Sequence, residues 1–221
     1  MTLRLAIFDC DGTLVDSQAD IAQAMEAAFA AHGLPAPPRA AIRRIVGLSL
    51  TEAIRQLVPA LDNAATAALV QSYKDAFRAR RSAGVVEEPL YDGIAALVAE
   101  LDAAGWLLGV ATGKSDRGLA HVLERHGLSG HFVTLQTADR HPSKPDPSML
   151  EACLAATGAD RTATVMIGDT AYDMAMAVNA GVRAIGVDWG YHHPDELREA
   201  GAAAVAGSVD ELRQLLKALE A

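Results

Sequence analysis

An apolar run, Leu3 to Phe8, stops abruptly on Asp9-Cys10-Asp11-Gly12. A short continuous apolar segment closed by a turn signal is the pattern of a strand buried on both faces. Asp9 and Asp11 then stand at the carboxyl end of that strand, the edge where open α/β sheets bind ligands. A carboxylate there can attack an electrophile, hold a hard cation or exchange protons. A pair divides those tasks when their environments push the two pKa values apart. Asp and Gly also gather after strands because turns need them, so this segment alone leaves a plain turn open.

The rest of the chain decides the class. Helical patterns follow at Ile21 to Ala31, Arg39 to Val46, Thr51 to Leu57 and Asn63 to Arg80, broken by Gly33, Pro35, Pro37, Pro38 and Gly47. From Tyr91 the rhythm changes. Helices at 92–103, 115–126, 147–157 and 171–180 alternate with strands at 106–111, 131–135, 162–167 and 182–187, and a last helix covers 209–219. Strands alternating with helices predict βαβ units and a parallel sheet. The expected architecture is an α/β, doubly wound parallel sheet in residues 1–16 and 84–221, interrupted by a helical cap at 17–83. An insertion there lies over the Asp9 edge, where it can exclude water and select substrate. The crossings near Val15–Ser17 and Ser82–Glu88 are expected to act as hinges.

Three further segments carry chemistry. After strand 106–111 comes Thr112-Gly113-Lys114-Ser115. A hydroxyl and backbone N–H groups at such a turn can hold a phosphate, although Ser115 as a helix N-cap explains the segment equally well. A nucleotide-binding P-loop is excluded, because Leu108 stands where its first Gly is required. Lys144 lies before Pro145, which biases it away from helical geometry. There it can neutralise a phosphoryl group or a surplus carboxylate, or be an ordinary solvated lysine. Strand 162–167 ends in Gly168-Asp169, with Asp173 four residues on. Asp169 and Asp173 can thus face one point, where clustered carboxylates call for a cation such as Mg2+. Asp173 alone would also suit the first turn of a helix dipole.

Asp9-x-Asp11, Thr112, Lys144 and Gly168-Asp169-x-x-x-Asp173 resemble, in order, the four motifs of the haloacid dehalogenase superfamily. The resemblance spans nearly the whole chain. Lys144-Pro145-x-Pro147 and the helical insert resemble the subgroup containing phosphoglycolate phosphatase and β-phosphoglucomutase. It implies that Asp9 attacks phosphorus to form an aspartyl phosphate, and that Asp11 protonates the leaving alkoxide and then activates water. It implies Mg2+ held by Asp9, the backbone carbonyl of Asp11 and Asp169, with Asp173 orienting metal waters or Lys144. Thr112 and the Gly113 N–H would bind phosphoryl oxygens, and Lys144 would offset their charge. The implied activity is hydrolysis of a small phosphorylated metabolite.

Other readings are weaker. A dehalogenase of the superfamily typically lacks the second Asp, present here as Asp11. Cys10 as nucleophile would need an Arg six residues later, where Asp16 stands, and strand alternation turns Cys10 from the side of Asp9 and Asp11. A mutase needs a second phosphate site in the cap. Leu50 replaces the Arg that β-phosphoglucomutase carries after the loop Ser, while Arg43 and Arg44 remain candidates to bind a carboxylate or second phosphate. A non-catalytic sensor or scaffold would be expected to have lost Asp9 or Asp169. Tyr191-His192-His193-Pro194 suggests a rim or capping role more than a metal site. The net charge of −9 argues against nucleic acid as the main partner. Two cysteines without zinc spacing, and no apolar run long enough for a membrane span, lead to the expectation of a cytoplasmic protein acting away from membranes.

Overall fold

In a computed structural model that describes residues 3–219, the first strand, β1 (Leu5–Phe8), is buried along its whole length. Leu5 and Ile7 enter one hydrophobic cluster, Ala6 and Phe8 another. That is the alternation a pleated strand imposes, and burial on both faces is why the apolar run is unbroken. Leu3 is half exposed, so the strand is shorter than the run.

Four helices follow: α1 (Gln18–Ala31), α2 (Arg39–Ile45), α3 (Leu50–Leu57) and α4 (Asn63–Ser82). The chain then alternates through α5 (Ile94–Ala103), β2 (Leu107–Thr112), α6 (Asp116–Arg125), β3 (Thr134–Thr137) and α7 (Ser148–Thr157). It continues through β4 (Thr164–Gly168), α8 (Ala171–Ala180), β5 (Arg183–Val187), α9 (Pro194–Glu199), β6 (Ala204–Ala206) and α10 (Val209–Ala218). The sheet order is β3-β2-β1-β4-β5-β6, with every pairing parallel. The direction of winding reverses at β1, and the crevice beside such a strand end is a ligand site.

Helices α5, α6 and α10 pack on the face that receives Phe8, and α7, α8 and α9 on the face that receives Ile7. Helices α1 to α4 pack on one another around Met25, Phe29, Ile42, Ile54 and Leu69. Exit from the sheet and return to it run side by side. Val15 bridges Leu90, the Asp16 N–H donates to the Pro89 carbonyl at 2.8 Å, and Tyr91 N–H to Leu14 at 3.1 Å.

Strand β3 begins at Thr134 rather than His131. Phe132 is buried edge-on against Phe8, at 6.3 Å between ring centroids. It packs as part of the approach to the strand, and the first sheet bond in this segment is from Val133 N–H to Leu108. After the short helix α9, β6 extends the sheet beyond the expected strands by three residues. Among the described residues, no helix is long and apolar enough to cross a membrane.

Candidate functional site

Asp9 is the first residue beyond β1 and Asp169 the first beyond β4, and the Asp9 N–H donates to the Ile167 carbonyl at 2.9 Å. Asp173 sits in the first turn of α8. One oxygen from each of these three buried carboxylates lies within 4.8 Å of the others. Lys144, from the loop between β3 and α7, is buried among them. Its Nζ is 2.9 Å from Asp9 Oδ2 and 2.6 Å from Asp173 Oδ1. Pro145 follows it through a cis peptide bond.

Each carboxylate is held by the chain around it. Asp9 Oδ1 accepts from Cys10 N–H at 2.6 Å. Asp169 accepts from Thr13 Oγ1 at 2.8 Å and from Tyr191 N–H at 2.9 Å. Asp173 Oδ2 accepts from Thr170 N–H and Oγ1, closing a capping box, while Oδ1 faces Lys144. Gly12, at φ 88°, and Gly190 let backbone press on Asp169, since a Cβ at either would come within 2.2 Å of its side chain.

Burial pushes the Asp9 carboxyl up to about 7, against the pull of Lys144. Burial, then Asp173 and Asp9, hold Asp169 well above the usual carboxylate range. Burial also works against the Lys144 charge, but Asp173 and Asp9 outweigh it and hold its pKa above the ordinary value. Three carboxylates against one ammonium leave surplus negative charge away from water, which raises proton affinity or attracts a cation. Asp9 Oδ2 is buried and accepts no well-formed hydrogen bond. An all-oxygen donor set whose three carboxylates face a single ammonium fits a hard divalent ion.

Asp11 faces a different surrounding. Its Oδ1 accepts from Ser17 Oγ at 2.5 Å and from Lys114 Nζ at 2.6 Å. Lys114 also reaches Glu88 Oε1 at 2.8 Å, and Arg81 lies 3.6 Å from Glu88 Oε2. Charges thus alternate from α4, through the returning chain, to Asp11. Glu88 takes φ 38°, uncommon for a residue with a side chain. Thr112 ends β2 buried, and its Oγ1 accepts from Lys114 N–H at 3.2 Å. Beside Thr112, Gly113 lies under the loop before α3, where a Cβ would stand 2.4 Å from the Leu48 carbonyl and 2.6 Å from that of Gly47. Asp11, Thr112 and Gly113 border a cavity of about 360 Å³ roofed by α1 to α4.

The structure therefore brings Asp9, Lys144, Asp169 and Asp173 together, with Asp11, Thr112 and Gly113 on the adjoining cavity wall. Arg43 and Arg44 are not on that wall. Arg43 donates to the Gly190 carbonyl at 2.6 Å and to that of Tyr191 at 3.0 Å, and Arg44 pairs with Glu196 at 2.5 Å. Arg43 fastens α2 to the loop between β5 and α9, and Arg44 fastens it to α9. Cys10 is buried in the cluster of Phe8, and burial pushes its thiol well up, so it is neutral. His193 caps α9, and the His192 ring lies between Ala171 N–H and the Arg44 carbonyl. Among the described residues, Asp9, Asp169 and Asp173 are the one cluster with metal-ligand spacing.

Sequence reasoning gives no site role to Lys114, Ser17 or Glu88, and it places Tyr191 only at the rim, whereas its N–H binds Asp169. Lys114 lies within Thr112-Gly113-Lys114-Ser115, where the sequence pattern relates it only to a P-loop. Its partner Glu88 is 26 residues away in the chain, and no local pattern joins the two.

The model of the haloacid dehalogenase-like hydrolases matches residues 6–187. A probable phosphatase, IndB, of Dickeya dadantii is 37% identical over 94% of this chain and 91% of its own. A phosphoglycolate phosphatase of Vibrio cholerae is 29% identical over 97% of each chain. The crystal structure of a predicted phosphatase from Clostridium acetobutylicum superposes with TM-score 0.88 at 28% identity, over the whole of both chains.

Proposed function

The chain belongs to the haloacid dehalogenase-like hydrolase family and is a phosphatase of it, and we propose that it hydrolyses a small phosphate monoester with Mg2+ through a phosphorylated Asp9. Residues 17–83 serve as the cap over a catalytic core of 1–16 and 84–221. What carries the reading is the convergence of Asp9, Asp169 and Asp173 to within 4.8 Å beneath a cavity bordered by Asp11 and Thr112.

In this proposal Asp9 attacks phosphorus. Its oxygen bonds to phosphorus as the ester oxygen leaves, and Asp11 gives that oxygen its proton. Asp11 then takes a proton from the water that cleaves the aspartyl phosphate, returning Asp9 as a carboxylate. Lys144 keeps its charge beside Asp9 and offsets the phosphoryl oxygens, while Thr112 Oγ1 and the Gly113 N–H hold them. Asp9, the Asp11 backbone carbonyl and Asp169 would hold Mg2+, with Asp173 oriented toward Lys144. Bound there, the ion supplies charge neutralisation between the attacking carboxylate and the phosphoryl group.

A mutase would need a second phosphate held by the cap. Arg43 and Arg44 do not supply one, because both are occupied with Gly190, Tyr191 and Glu196. The test is phosphate release from p-nitrophenyl phosphate with Mg2+, with EDTA, and by Asp9→Asn. Release is expected with Mg2+, and a loss of at least about 10³-fold in the variant with its fold retained. Turnover by Asp9→Asn at the normal rate would overturn the covalent route.

A further inference from the structure

One face of α4 carries Val70, Tyr73, Lys74, Phe77, Arg78 and Arg81 at spacings of three and four, and all six border the cavity. Tyr73 and Phe77 pack against each other at 5.9 Å between centroids, giving that wall an aromatic surface. Lys114 and Arg117 of the core also border the cavity, with Lys114 Nζ 5.9 Å from the Phe77 ring centroid. Five cations therefore border this cavity, with Asp11 and Asp139 as its acids, in a chain of net charge −9.

Three of the cations are already paired. Lys114 is held by Asp11 and Glu88, Arg81 lies near Glu88, and Arg78 pairs with Asp75 at 2.9 Å. Asp139 accepts from the Asp116 N–H. The side chains of Lys74 and Arg117 form no ion pair or hydrogen bond with any described residue, and they border the cavity from two different elements, α4 and α6. Cations on a concave wall backed by apolar side chains focus a positive potential into it. A cavity of about 360 Å³ with an aromatic wall has the size of a site for a molecule larger than a two-carbon ester.

Resting on the phosphatase reading above, we propose that the leaving group of the natural substrate has an apolar or aromatic body and carries a second anionic group, held between Lys74 and Arg117. The body lies along Tyr73 and Phe77 and the ester phosphate lies toward Asp9. The anion is a carboxylate or a second phosphoryl group, whose shared chemistry is acceptance of charge-assisted hydrogen bonds.

The experiment compares kcat/KM for 4-(carboxymethyl)phenyl phosphate, its uncharged amide and 4-(phosphonomethyl)phenyl phosphate, with phosphoglycolate alongside. The methylene keeps the three phenols similar as leaving groups. At least one charged ester is expected to exceed the amide by about tenfold or more, and phosphoglycolate to be poorer than that ester. The faster charged ester names the anion. In K74M/R117M the charged-to-amide ratio is expected to fall toward one, a readout in which any general loss of folding or chemistry cancels. Equal rates for charged and amide esters in the unaltered protein, or an unchanged ratio in the variant, would overturn the proposal while leaving the phosphatase reading intact. Hydrolysis of none of the four esters would overturn the proposal alone if p-nitrophenyl phosphate is still cleaved, and both readings if it is not.

Discussion

Lys144 is fully buried between two carboxylates, at 2.9 Å from Asp9 and 2.6 Å from Asp173. Removing one member of a buried charge cluster strands the others, and such losses cost about 3–5 kcal/mol. Lys144→Met is therefore expected to lower the metal-free unfolding free energy by about that amount in urea titration. Unfolding indistinguishable from the unaltered protein would show that Lys144 does not balance the cluster. Asp173 shows how two readings of one residue can both hold. The sequence offered a first-turn acid or a site acid. One oxygen closes the helix cap with Thr170 while the other faces Lys144, because a carboxylate accepts hydrogen bonds on both oxygens.

Among elements, the segment from Thr112 to Ser115 joins the sheet to the helical roof. Ser115 caps α6 as its position suggested, Thr112 ends β2 with its hydroxyl toward Lys114, and Gly113 is pressed by the Gly47 and Leu48 carbonyls. A methyl group at 113 would displace that loop, since carbonyl oxygens cannot approach a Cβ to 2.4 Å. Gly113→Ala is expected to reduce kcat/KM by about tenfold to a hundredfold, because small displacements of a positioned group cost that much, while far-ultraviolet circular dichroism is unchanged. Full activity would mean that the roof can lift without consequence for turnover. The Arg81–Glu88–Lys114–Asp11 ladder belongs to this scale too, tying α4 and the returning chain to the end of β1. It was invisible in the sequence, because its members share neither a helix face nor a strand alternation.

Across the whole molecule, surplus negative charge is concentrated where the two halves of the sheet meet, and metal binding should be felt in global stability. Saturating Mg2+, at about a hundredfold its dissociation constant, would add about 2.7 kcal/mol, or about 5–10 °C in Tm for a chain of this size. Differential scanning calorimetry in EDTA and in Mg2+ reads this, and no shift would show that the cluster does not bind the ion. The pH dependence has a defined sign. An Asp9 carboxyl near 7 when folded and near about 4 when unfolded favours folding most below pH about 4. That contribution is lost as pH rises through 7. Metal-free protein should accordingly lose stability between pH 5 and pH 7.5, with a shallower fall in Asp9→Asn. An equal fall in that variant would place the titration elsewhere. The sequence by itself determined the parallel α/β class, the helical insertion after β1, and Asp9, Asp11, Lys144, Asp169 and Asp173 as candidates. It could do so because strand burial, helical periodicity and carboxylates at strand ends are local properties. Only the tertiary structure decided that Arg43 fastens α2 to the loop after β5 and Arg44 fastens it to α9, that Lys114 holds Asp11, and that Lys74 and Arg117 face one cavity. Those pairings join residues from 43 to 152 positions apart, and the packing of helices on the sheet, not any sequence period, sets which side chains meet.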